Sequence, residues 1–109
     1  MNWIKLTDKN QIDTLIDNGK QALIFKHSTR CPISSMAKRS FEANYEVQEN
    51  VDTYFLDLIA FREVSNYVAD RFSIEHASPQ LLLIKDGSCV LDTSHENIDA
   101  DSAKDYFTN

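Results

Sequence analysis

Ala22-Leu23-Ile24-Phe25-Lys26-His27-Ser28-Thr29-Arg30-Cys31-Pro32-Ile33-Ser34 is the stretch on which the fold turns. Its first half carries Leu23, Ile24 and Phe25 without interruption, the pattern of a strand covered on both faces and therefore central in its sheet. Pro32 fixes φ and lacks an N–H that the first turn of a helix leaves unpaired in any case, so it reads as the first residue of a helix. Cys31 then caps that helix, where a buried strand hands over to it.

On the N-terminal side, Thr7 and Asp8 precede Asn10, Ile12, Leu15 and Ile16, a spacing that puts the apolar side chains on one helical face, and Gly19 supplies the stop. On the C-terminal side, the helix opened by Pro32 carries Met36, Ala37, Phe41 and Tyr45 inward and Lys38, Arg39, Glu42 and Glu46 outward, ending near Gln48. Val51 to Leu58 reads as a second strand, and Phe61, Val64, Val68 and Phe72 trace a third helix. Gln80 to Lys85 and Ser88 to Thr93 flank Asp86-Gly87, a two-residue link suited to a type I′ hairpin, so these strands are antiparallel neighbours. Ile98, Ala103, Tyr106 and Phe107 predict a short closing helix with Asp99 as its cap. The order is α-β-α-β-α-β-β-α. Alternation of helices with buried strands demands right-handed crossovers, which predicts an α/β fold with a four-stranded mixed sheet flanked by helices.

The 109 residues make a single domain, 1–109, since compact domains run to roughly 100–150 residues. With 42% apolar and 26% charged residues the chain has globular proportions, which excludes disorder. Eleven basic residues against 17 acidic ones leave a charge of −6, which argues against nucleic-acid and anionic-membrane partners. Apolar runs such as Leu81–Ile84 fall far short of the roughly 20 residues of a membrane span, and Met1-Asn2-Trp3-Ile4-Lys5 does not open a signal peptide, so a cytoplasmic location is expected. In that compartment Cys31 and Cys89 read as separate thiols. With His27, His76 and His95 they show no metal-ligand spacing, so no metal site is expected.

At a helix N-terminus, unpaired backbone N–H groups and the positive end of the helix dipole favour a thiolate, and Arg30 beside Cys31 adds to that. An easily ionised sulfur gains little as attacker, because nucleophilicity falls with basicity, but it leaves readily when an incoming thiol splits its mixed disulfide. Three residues on, where a dithiol oxidoreductase carries its second cysteine, stands Ser34. No local disulfide can form, so a mixed disulfide on Cys31 needs a thiol from elsewhere to resolve it. Cys89, beside Val90 and Leu91 in a strand, reads as core packing. Ser78-Pro79 stands just before the third strand, and the residues alone favour a trans bond there, cis being about 5% of X-Pro bonds in folded proteins. His27 and His76 suit a local hydrogen bond or a proton transfer, and His95 falls in a polar loop.

The element order, a cysteine opening the helix after strand one and a proline opening strand three together resemble the thioredoxin fold over nearly the whole chain. More narrowly, FKHSTRCPIS (25–34), LDLIAFREVSN (56–66) and HASPQLLLIKDG (76–87) are similar to the bacillithiol-system thioredoxin-like proteins of the YtxJ type, the monothiol bacilliredoxins, whose signature is TCPIS. One departure is visible: Arg30 stands between Thr29 and Cys31. The resemblance implies that Cys31 is the redox-active thiol, that Thr29, Arg30, Pro32 and Ser34 support it, that Pro79 is a cis-proline facing it, and that Ser78 offers backbone groups to a bound thiol–disulfide substrate. It implies an enzyme that removes bacillithiol from protein mixed disulfides, with no bound cofactor and bacillithiol as thiol co-substrate. Its partners would be bacillithiolated client proteins, in the cytoplasm of a low-GC Gram-positive bacterium. Two other readings stay open: a non-enzymatic interaction module with Cys31 as a reversible thiolation site, and iron–sulfur binding by two chains through Cys31.

Overall fold

The computed structural model describes residues 1–107. The elements are β1 (Ile4–Lys5), α1 (Lys9–Asn18), β2 (Gln21–His27), α2 (Pro32–Asn44), β3 (Val51–Asp57), α3 (Arg62–Phe72), β4 (Gln80–Lys85), β5 (Ser88–Ser94), a 3-10 turn (His95–Asn97) and α4 (Ser102–Tyr106). Local chemistry sets several boundaries. Asp8 caps α1 by accepting the Asn10 N–H, Gln11 reaches back to the Asp8 N–H at 3.0 Å, and Gly19 ends the helix at φ 63°. Asp86 and Gly87 both adopt positive φ, 53° and 78°, as a type I′ hairpin between β4 and β5 requires.

The sheet runs β1-β3-β2-β4-β5, with β1, β3 and β2 parallel and with β4 antiparallel to both β2 and β5. The α/β mixed sheet with β2 at its centre is as expected, but it has five strands rather than four. The additional one, β1, pairs Ile4 and Lys5 with Tyr54 and Phe55, and the Leu6 N–H donates to the Phe55 carbonyl at 2.8 Å. Two residues carry no periodicity, so only the distant partner strand reveals them.

Alternation along β2 feeds two cores. Ala22 and Ile24 pack with Ile12 and Leu15 of α1 and Val64, Val68 and Phe72 of α3, whereas Leu23 and Phe25 pack with Phe41 of α2 and Ala103 of α4. Two expectations for α2 are corrected. It ends at Asn44, with Tyr45 as its C-cap, rather than near Gln48. Met36 points outward and is 65% exposed. The inward position is occupied by Ser34, and Met36, two residues on, sits roughly 200° round a 3.6-residue helix. In the closing helix Asp101 rather than Asp99 stands at the N-cap, and the Asp99 carboxylate accepts the Asp101 N–H at 3.0 Å.

Candidate functional site

Parallel β2 and β3 end together, and beyond β2 the chain turns through Ser28, Thr29 and Arg30 to Cys31. The turn is closed by the Cys31 N–H donating to the Ser28 carbonyl at 3.1 Å. Thr29 and Arg30 lie exposed on it. Cys31 is half-buried at the N-cap of α2 with extended backbone, φ −105° and ψ 117°, and its side chain makes no capping hydrogen bond. Pro32 occupies the first helical turn, and the helical ladder starts where the Ser35 N–H donates to the Cys31 carbonyl at 3.0 Å. The amides of Ile33 and Ser34 precede that ladder and lie in the positive end of the helix dipole.

Ser34 is wholly buried. Its Oγ accepts the Ser28 N–H at 3.1 Å and lies 2.6 Å from Nδ1 of His27. Burial, and then the Lys38 cation, lower the His27 pKa, against an opposing pull from Asp57 and Glu42. Ser34 thereby staples the end of β2 to the first turn of α2, and His27 lies within that staple. Behind it the His27 ring meets Phe55 at 5.5 Å between centroids. The Lys38 ammonium sits over the Phe55 and Trp3 rings, while Glu42 accepts from Trp3 Nε1 at 2.8 Å and from Lys38 at 3.2 Å.

Pro79 reaches the same end of the sheet from the other side. Gln80, which opens β4, pairs with Lys26, so the preceding Ser78 and Pro79 lie where β2 runs out toward Cys31. The Ser78–Pro79 bond is cis, where the residues alone favoured trans. The Ser78 hydroxyl is buried without a hydrogen-bond partner among the described residues, so its side chain does not face solvent. His76 stands apart from the Ser34 staple: its Nδ1 lies 2.8 Å from Nζ of Lys26.

Beside Cys31, Ile33 and Met36 are 67% and 65% exposed and, with Ile98, line a shallow groove closed by His95 and Glu96 of the 3-10 turn. Sequence reasoning missed this apolar face because it assigned Met36 to the core. It also passed over Lys26 and Gln80, although a lysine in a strand covered on both sides was itself a signal. Cys89 is half-buried against the α1/α3 core, and burial together with Asp92 pushes its thiol up to about 11. Among the described residues no cluster of His, Cys, Asp and Glu could hold a metal ion, and no helix is long and apolar enough to cross a membrane.

The profile of a family described as monothiol bacilliredoxin BrxC matches residues 4–103. Among solved structures, a candidate oxidoreductase with a thioredoxin fold superposes with a TM-score of 0.80 at 30% identity, over 94% of this chain and 90% of that one. A thioredoxin of Malassezia sympodialis superposes with a TM-score of 0.73 at 16% identity, over 95% of this chain and 86% of that one. A Fasciola hepatica thioredoxin gives 0.67 at 19% identity, over 93% and 92%. These two share the fold alone. A family match spanning nearly all of the chain, on an architecture common to thioredoxins, means that the protein belongs to the monothiol bacilliredoxin BrxC family and has a thiol redox role.

Proposed function

We propose that the protein is a YtxJ-type thiol–disulfide oxidoreductase that uses Cys31 to remove bacillithiol from mixed disulfides on cytoplasmic client proteins. The observation that carries this reading is a half-exposed sulfur at the mouth of α2 with a buried serine hydroxyl, not a second thiol, one turn on. The Cys31 thiolate attacks the bacillithiol sulfur of the mixed disulfide, the client sulfur leaves as a thiolate and takes a proton from water, and a Cys31–bacillithiol disulfide remains. A second bacillithiol thiolate then attacks the bacillithiol sulfur of that adduct, releasing bacillithiol disulfide and regenerating the Cys31 thiolate. No bound cofactor enters either step. Thr29 and Arg30 precede Cys31 on the exposed turn, Pro32 and the Ser34 staple hold the helix mouth, and Ser78 and Pro79 receive the client backbone. The exposed Ile33 and Met36 give an apolar face suited to a protein client, and Cys89, protonated at neutral pH, takes no part.

Catalytic amounts of protein are mixed with a bacillithiolated client and free bacillithiol, and released client is followed by mass spectrometry. Turnover lost in Cys31→Ala and kept in Cys89→Ala is expected. An adduct on Cys31 without turnover would reduce the cysteine to a modification site and overturn the enzymatic reading.

A further inference from the structure

Between Gln21 and Lys85 at one end and the Cys31 end of the sheet, β2 and β4 carry only apolar residues, Ala22–Phe25 and Leu81–Ile84. At the Cys31 end Lys26 and Gln80 stand opposite each other in register, exposed by 0% and 2%. Parity along β2 puts Lys26 on the α1/α3 face, away from the Ser34 staple. Taking an ammonium out of water is costly, and a leucine would fill an apolar sheet without that cost. The two side chains act on one segment. Lys26 Nζ meets Nδ1 of His76 at 2.8 Å, Gln80 Oε1 accepts the Ala77 N–H at 3.3 Å, and Gln80 Nε2 donates to the Glu75 carbonyl at 2.9 Å. Three consecutive residues, Glu75, His76 and Ala77, are thus tied to the sheet immediately before Ser78 and Pro79. Burial lowers Lys26 to about 8, and burial together with the Lys26 and Arg62 cations lowers His76, so at neutral pH a protonated amine donates to a neutral imidazole.

We infer that Lys26 and Gln80 are positioning residues for exchange at Cys31, acting through the Glu75–Ala77 segment to hold the Ser78 backbone where a client chain lies. This rests on the function proposed above. The pair touches neither the sulfur nor the client, so its loss raises the KM for client and leaves kcat nearly unchanged.

The test uses the full chain with a bacillithiolated client protein as substrate and free bacillithiol as reductant. Lys26→Met and the exposed His76→Leu should each raise the KM for client roughly tenfold with kcat within about twofold. His76→Asn, whose Oδ1 accepts in place of Nδ1, should return to within about threefold of the wild-type KM. Nitrogen NMR of the His76 ring gives a second readout: the wild type holds its proton on Nε2, and Lys26→Met releases a mixture of tautomers. An active wild type whose KM is unmoved by His76→Leu, or an asparagine variant no better than the leucine one, overturns the positioning role and leaves the proposed function standing. A wild type that turns over no client overturns that function and this inference with it.

Discussion

Replacing Ser34 by alanine separates a structural hydroxyl from a catalytic one. The side chain is wholly buried and its Oγ serves two partners, the Ser28 N–H at 3.1 Å and His27 Nδ1 at 2.6 Å. Alanine keeps the packing but strands both partners, and an unsatisfied buried polar group costs about 1–3 kcal/mol. Because Ser28 is only half-buried, solvent recovers part of that loss, and a total of about 2–3 kcal/mol is expected. Unfolding entropy of about 2.1 cal/mol/K per residue amounts to about 0.23 kcal/mol/K for this chain, so the Tm should fall by about 10 °C. Thermal melts followed by far-UV circular dichroism at pH 7, with urea titrations as a cross-check, measure the change. Client turnover below the melting transition should stay within about threefold of wild type, because the hydroxyl faces His27 and Ser28 rather than a substrate. A Tm lowered by less than about 2 °C would show that the staple contributes little. Turnover lost in a protein that is still folded would refute the assignment of Ser34 to structure.

Three more outcomes follow from the same geometry. Because burial holds Lys26 at about 8 against an ordinary 10.5, below pH 8 both folded and unfolded chains carry the proton and the fold bears a penalty of about 3 kcal/mol, which is relieved as pH rises toward 10.5. Urea stability of the wild type should therefore climb relative to Lys26→Met between pH 8 and 10, the raised Cys89 thiol acting equally in both proteins, and parallel curves would contradict a buried cation. With its thiol pushed up to about 11, Cys89 should resist iodoacetamide at pH 7 in the folded protein while Cys31 is labelled, both reacting in urea. Equal labelling without denaturant would place Cys89 outside the core. Met36→Glu should raise the KM for a protein client about fivefold and leave Tm within about 2 °C, since the side chain is 65% exposed. A large loss of stability would return Met36 to the core.

Much of the site was legible because its cues are local. Proline at the first helical turn located the mouth of α2, and with it Cys31, from adjacent residues. The serine three positions on excluded a local disulfide without any coordinates. What Ser34 does instead was not legible, since its partners are set by how β2 and α2 pack, and neither Nδ1 of His27 nor the Ser28 amide announces itself in the chain. Met36 was misplaced for a related reason: an apolar side chain was assumed to take the inward slot that a bonded serine fills.

Signals that act within about one turn or one hairpin were determined by the sequence alone: the helix that follows Thr7 and Asp8, its stop at Gly19, the Asp86-Gly87 hairpin, and a lone cysteine where a helix begins. Tertiary structure decided whatever depends on residues far apart in the chain. It added β1 through Tyr54 and Phe55, chose the neighbours of β2, and joined Lys26 to His76 fifty positions away. Local conformation is selected by each residue's own sterics and nearby hydrogen bonds, whereas strand register and the partners of buried polar groups are selected only when the sheet closes over both cores.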